Sequence, residues 1–286
     1  MTVLLAGCGD LGTEAGLRLA AAGHRVVGWR RSPDKLPPAI EGAAAHLSTA
    51  ELPPVPADTT AVVIAVAADA STEEAYRSAY LNGVAHVLDA LERDRVAPER
   101  VLFVSSTAVY GDAGGGWIDE NTTPEPGGFS GRIMREAEEH LLKRLDGTET
   151  TPVVLRLGGI YGPGRTRLID QVRTGAAVIP DQPRYTNRIH RDDAAGAIVH
   201  LCTMSPVPSP VYLGVDNDPA ELGDVLRFLA AELGLNGPPT GSLGAARGGN
   251  KRCSNALLRE TGFSFKYPSF REGYRDILAG VGVRHP

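Results

Sequence analysis

Gly7, Gly9 and Gly12 have the spacing with which a backbone can hold a phosphate. They follow an apolar run, Val3–Ala6, and open a helical pattern, Leu11–Ala22, before a second run, Arg25–Trp29. In such a strand–turn–helix–strand unit Gly7 permits the tight turn, Gly9 leaves room for a pyrophosphate, and Gly12 lets helix pack on strand. Free amides and the helix dipole then favour an anion at the helix start. The whole turn, Gly7, Cys8, Gly9, Asp10, Leu11 and Gly12, is therefore the candidate cradle of a dinucleotide. Cys8 also reads as a small packing residue.

The second run ends Trp29-Arg30-Arg31-Ser32, with no acid before Asp34. NAD-selective sheets place a carboxylate there for the ribose 2′-hydroxyl. Two guanidinium forks suit a 2′-phosphate instead, so Arg30 and Arg31 favour NADP over NAD. A solvated arginine pair is the other reading. Ser105-Ser-Thr-Ala-Val-Tyr-Gly111 ends a further strand. Open α/β sheets bind ligands at strand carboxyl ends. Ser105 and Ser106 either meet the cofactor and substrate there or cap the next turn.

These residues need a scaffold, and the pattern supplies one. Strands are expected at Val3–Ala6, Arg25–Trp29, Ala61–Ala65, Arg100–Ser105 and Val153–Arg156. Helices are expected at Leu11–Ala22, Thr72–Glu92, Arg132–Arg144 and Leu168–Arg173. The alternation predicts an α/β fold, a doubly wound parallel-sheet Rossmann fold with a small C-terminal substrate lobe. Residues 1–160 form the dinucleotide-binding core. Residues 161–286 complete the sheet and build the lobe, with proline- and glycine-rich connectors such as 244–249. The chain has 286 residues, a net charge of −5, and only four lysines (Lys35, Lys143, Lys251, Lys266) among 29 basic residues. No basic stripe suggests nucleic acid. No apolar run is long enough for a membrane. Three unclustered cysteines indicate neither disulfides nor a metal, and a reducing cytoplasm is expected. The expected partner is a small-molecule substrate, and a homodimer stays open.

Further strings carry a family resemblance: Tyr80-Leu-Asn-Gly-Val-Ala-His-Val-Leu-Asp-Ala90, the SSTAVYG string, and Arg156-Leu-Gly-Gly-Ile-Tyr-Gly-Pro-Gly164. To these add Asn187-Arg-Ile-His-Arg-Asp-Asp193 and Asn250-Lys-Arg-Cys-Ser-Asn255. Together with the glycine turn they resemble the extended and atypical short-chain dehydrogenase/reductases, the NAD-dependent epimerase/dehydratases. The resemblance implies that Ser106 bonds the substrate oxygen, that Asn82 stabilises the central helix, and that Tyr161 flanks nicotinamide and substrate. It places His190 at the cleft, either as a substrate contact or as a structural histidine, and Asp193 at a helix start.

One departure matters. Relatives carry a catalytic Tyr-x-x-x-Lys pair, and no lysine here has a tyrosine four residues earlier; that position is Arg247 for Lys251. Aligned on the helix, Gly128 stands where the tyrosine belongs and Arg132 where the lysine belongs. Arg132 retains a ribose-binding role but relays protons poorly. Thr107 and Ala108 replace an acidic pair of the sugar-nucleotide dehydratases, which disfavours dehydration and leaves Thr107 facing substrate. The expected function is an NADP-preferring oxidoreductase or epimerase on a small polar metabolite, with Tyr161 a candidate proton donor. The rivals are a non-catalytic NADP-binding sensor or scaffold and a redox-neutral isomerase or cyclase.

Overall fold

The computed structural model describes residues 1–242, 244 and 248–286. Among them, seven strands build the central sheet: β1 (Thr2–Ala6), β2 (Arg25–Arg30), β3 (Glu41–Ala44), β4 (Thr59–Ile64), β5 (Arg100–Ser106), β6 (Thr151–Leu157) and β7 (Val211–Gly214). Their order is β7-β6-β5-β4-β1-β2-β3, and every pairing is parallel. This is a doubly wound Rossmann sheet, with its switch point between β1 and β4. Both faces are covered, which is why β1 reads as an unbroken apolar run and is buried along its length.

One face carries α3 (Gly83–Asp94) and α4 (Phe129–Leu145), which pack Val84, Val87, Leu88, Met134, Ala137 and Leu141 against Leu4, Val62 and Phe103. The other carries α1 (Asp10–Ala21) and α6 (Arg191–Thr203), with Leu11, Leu19, Ile198 and Leu201 against Val3, Leu5 and Leu102. A third cluster joins α5 (Arg167–Arg173), α7 (Leu222–Glu232) and α9 (Phe270–Leu278), which follows the short α8 (Ala256–Glu260), around Leu229, Phe270 and Tyr274.

The segment expected as one helix over 72–92 is interrupted. A short α2 (Glu73–Tyr76), capped by the Thr72 side chain, passes through a π-helical turn, Arg77–Asn82, into α3. The structure also adds elements that the pattern did not reveal: β3, β7, α6, α7 and α9. Strand β3 is Glu-Gly-Ala-Ala at the sheet edge and has little hydrophobic signature. The connector expected at 244–249 falls partly on undescribed residues, and Arg247 lies outside the described residues. Cys8, Cys202 and Cys253 are buried free thiols. No described helix is long and apolar enough to cross a membrane.

Candidate functional site

The β1–α1 turn brings the glycines to the carboxyl end of the sheet. Gly7 has φ +91°, and a Cβ there would lie 2.7 Å from the Ala65 carbonyl oxygen, so the turn admits only glycine. Gly9, the N-cap of α1, is extended and contributes no capping side chain. A Cβ at Gly9 would meet nothing within 4 Å and would point into open cleft. Among the described residues no hydrogen bond engages the amides of Asp10, Leu11 or Gly12. Open space over Gly9 and three free amides at a helix start fit a pyrophosphate.

The cleft over this turn has a volume of about 1220 Å³. Gly7, Gly9, Asp10, Leu11 and Gly12 form its floor. Arg30, Arg31, Ser32 and Lys35 form a basic wall at one end, and Ser105, Ser106 and Ser130 line the rest together with Tyr76 and Tyr80. Both of the wall's arginines are engaged. Arg31 pairs with Asp69 through two bonds, at 2.7 and 2.9 Å. Asp69 is an acid contributed from beyond β4, so the sequence around β2 gave no sign of it. Arg30 Nη1 donates to the Pro286 carbonyl at 3.0 Å. Both arrangements are exposed, and exposed ion pairs contribute little, so a phosphate can compete for these donors.

A second cavity of about 1010 Å³ adjoins the first. Tyr76 and Ser130 line both. Gly128, Phe129, Asp112, Arg184 and Asn250 line the second alone.

At the end of β5 the two serines part. Ser106 is half-buried and lines the cleft, while its Oγ accepts the Ala108 amide at 3.1 Å. It therefore caps the short turn Thr107–Val109 and still has its own proton to donate. Ser105 Oγ instead donates to Glu138 of α4. Glu138 is 2% exposed and accepts from Arg156 of β6 at 2.6 Å. Arg156 Nη1 donates to the Tyr110 hydroxyl, also at 2.6 Å, and that hydroxyl donates to the Asp119 carbonyl. Burial pushes the Tyr110 phenol up to about 12. This Ser105–Glu138–Arg156–Tyr110 chain braces the site from behind. The sequence hint was a charge in each of two buried elements, Arg156 within an apolar strand and Glu138 on the inward face of a helix.

Five expected contacts do not reach the cleft. Tyr161 is buried in the lobe, 4.6 Å from the Tyr274 ring, with its hydroxyl donating to the Ser269 carbonyl. Burial raises its phenol far above the ordinary value. A phenol so enclosed is a packing group, which corrects its expected place beside the nicotinamide. His190 is 2% exposed and stacks on Tyr267 at 4.0 Å. Its Nδ1 accepts the Asp192 amide as the cap of α6, and burial pushes it down to about 4, so it is the structural histidine. Thr107 is buried and lines neither cavity. Arg132 is exposed and also lines neither. Cys8 is the packing residue: its thiol lies 3.8 Å from Thr13 Oγ1, and burial pushes it up to about 11. Asn82 ends the π-helical turn, and the Asp193 carboxylate receives the Lys266 and Tyr267 amides.

Asp10 lines the floor of the cleft, yet its carboxylate is committed elsewhere. It accepts from Arg191 at 2.7 Å, Arg165 at 3.0 Å and the His285 amide at 3.1 Å. The tail continues to Glu14 through His285 Nε2 at 2.8 Å and to Arg191 through the Val283 carbonyl at 2.9 Å. Residues 283–286 thus bind the back of the glycine turn. No described group of His, Cys, Asp and Glu residues could hold a metal ion.

A family model, the NAD dependent epimerase/dehydratase family, matches residues 3–209. Protein YeeZ of Escherichia coli K12 is 32% identical over 280 residues, covering 93% of this chain and 96% of that protein. The dTDP-L-rhamnose 4-epimerase of Burkholderia thailandensis is 27% identical over 325 residues, covering 89% and 86%. A solved structure from Methylobacillus flagellatus, assigned to the NAD-dependent epimerase/dehydratases, is 36% identical. It superposes with a TM-score of 0.78 over 98% of both chains.

Proposed function

This chain belongs to the NAD-dependent epimerase/dehydratase family, and from that premise we propose that it is an NADP-preferring oxidoreductase or epimerase acting on a small polar metabolite. The observation that carries this reading is the basic wall at the end of β2, where Arg30, Arg31 and Lys35 line the cleft beside the glycine turn. The free amides of Asp10, Leu11 and Gly12 would hold the pyrophosphate, and Arg30 and Arg31 the 2′-phosphate. The bound nicotinamide supplies or accepts a hydride. Ser106, lining the cleft with a proton to give, donates to the substrate oxygen as charge develops there. The second cavity takes the body of the substrate, and the named rhamnose epimerase makes a dTDP-sugar the first probe.

Titration of NADPH and NADH through the fluorescence of Trp29, which lines the cleft, tests the preference. Charge-assisted bonds contribute about 1.5–3 kcal/mol each, so NADPH should bind at least roughly tenfold more tightly. Arg30→Ser with Arg31→Ser should erase the difference. Equal affinities in the unaltered protein would remove the NADP assignment.

One observation favours a second reading, a non-catalytic NADP-binding sensor. Gly128 leaves no phenol where relatives carry their tyrosine, and Arg132 faces solvent. Tight NADPH binding without turnover of any sugar nucleotide, aldehyde or ketone would put that reading first.

A further inference from the structure

The space at the missing tyrosine is not empty of phenols. Gly128 precedes α4 in an extended conformation, and a Cβ there would meet nothing within 4 Å. Gly128 and Phe129 line the second cavity, and Tyr76 reaches the same corner from α2. The Tyr76 ring stands edge-on to Phe129, 5.4 Å between centroids at 83°, and 5.2 Å from Tyr80. Because Tyr76 and Ser130 line both cavities, a substrate in the second that reaches the cofactor cleft must pass them.

Of the other phenols on these walls, the Tyr110 hydroxyl joins Arg156 and Asp119, and the Tyr80 phenol, raised by burial, lines the first cleft but not the second cavity. The Tyr76 hydroxyl makes no hydrogen bond to any described residue. Tyr76 also directly precedes the π-helical turn Arg77–Asn82. Such turns recur at functional sites, where the widened turn re-aims neighbouring side chains.

We propose that Tyr76 is the proton donor and acceptor of the site, in place of the family's tyrosine. The proposal rests on the oxidoreductase reading above. In reduction the substrate carbonyl carbon gains the hydride from the reduced nicotinamide dinucleotide, and the C=O π pair moves to oxygen. That oxygen takes the proton of the Tyr76 O–H, and the phenolate regains one from water, since Tyr76 is only half-buried. Oxidation of an alcohol runs the same transfers backwards. Ser106 and Ser130 are the hydroxyls available to hold the oxygen. The charged and titratable neighbours are Glu73, Glu74 and Arg77 on the same segment, Tyr80 one turn on, and Glu136 of α4, which pairs with Arg77 at 3.0 Å. Asp112, Asp181 and Arg184 face the second cavity.

The test needs no known substrate. Tyrosines are replaced by 3-fluorotyrosine, and the ¹⁹F resonance of Tyr76 is assigned by its loss in Tyr76→Phe. NADP⁺ should shift that resonance, whereas 2′-phospho-ADP-ribose, which lacks the nicotinamide, should not. The Tyr274 resonance, from the lobe core, should respond to neither. Binding of NADP⁺ with no shift at Tyr76, or the same shift with both ligands, overturns the proton donor and leaves the cofactor reading standing. Failure of NADP⁺ and NAD⁺ alike to bind overturns both. With a carbonyl substrate in hand, Tyr76→Phe should lower kcat on the order of a hundredfold at unchanged KM. Adding Gly128→Tyr should restore part of the rate. A Tyr76→Phe protein with full kcat would also sink the proposal.

Discussion

At the scale of the residue, the two best-placed groups make opposite demands. Gly9 serves by having no side chain, since the open space above it fits a phosphate. Gly9→Val should therefore abolish dinucleotide binding while circular dichroism stays native. Ser106 serves by a single proton. In the proposed function that proton goes to the substrate oxygen, and the Ser106 oxygen already receives the Ala108 amide. Ser106→Ala should lower turnover on the order of a hundredfold or more and leave NADPH affinity unchanged in titration. The glycine spacing was legible because it is a local backbone requirement. The division of labour between Ser105 and Ser106 was not, since it depends on Glu138, which lies 33 residues away from Ser105 and is brought in by packing. Tyr161 misled for a related reason, and for His190 the two readings were separated only by the packing. A string does not record whether the side chain turns to the cleft or into the lobe.

At the scale of the element, α4 does two things. Its Gly131 approaches the Ala108 carbonyl so closely that a Cβ would collide with it, and its Glu138 reaches the sheet as a buried carboxylate. Glu138→Ala leaves Arg156, itself 6% exposed, without its partner. Breaking a buried pair from one side costs about 3–5 kcal/mol, which urea unfolding should report. The strand β7 leads to a second buried acid, Asp216. Its Oδ1 accepts the Asp218 amide, its Oδ2 has no partner among the described residues, and burial pushes the carboxyl up to about 8. The folded form keeps this proton to higher pH than the unfolded chain, so the group withdraws stability as pH rises toward 8. His190, pushed down to about 4, acts the opposite way and only below its ordinary value near 6.5. Between pH 6.5 and 8 the Asp216 effect is therefore unopposed by His190. Thermal unfolding in that range should show a fall in Tm for the native protein and a flatter profile for Asp216→Asn. Elements with a strong period or an unbroken apolar run were readable in the sequence. The edge strand β3 was not, and the start of α6, which opens with charges on a buried face, was legible only through the family resemblance at Asp193.

At the scale of the whole molecule, the bonds made by residues 283–286 join segments more than 250 positions apart in sequence. Pro286 meets Arg30 across 256 positions and the His285 amide meets Asp10 across 275. No local pattern announces contacts of that range. They also impose an order in time. Synthesis at about 5–20 residues per second separates the two sides of this junction by roughly 10–50 s. Throughout that interval the Asp10 carboxylate awaits first Arg165, then Arg191 and last the His285 amide. The front of the turn, which faces the cleft, is built from residues 7–12, and its back is closed by residues 283–286. The proposed dinucleotide site thus rests both on the glycine turn and on residues made more than 250 positions after it.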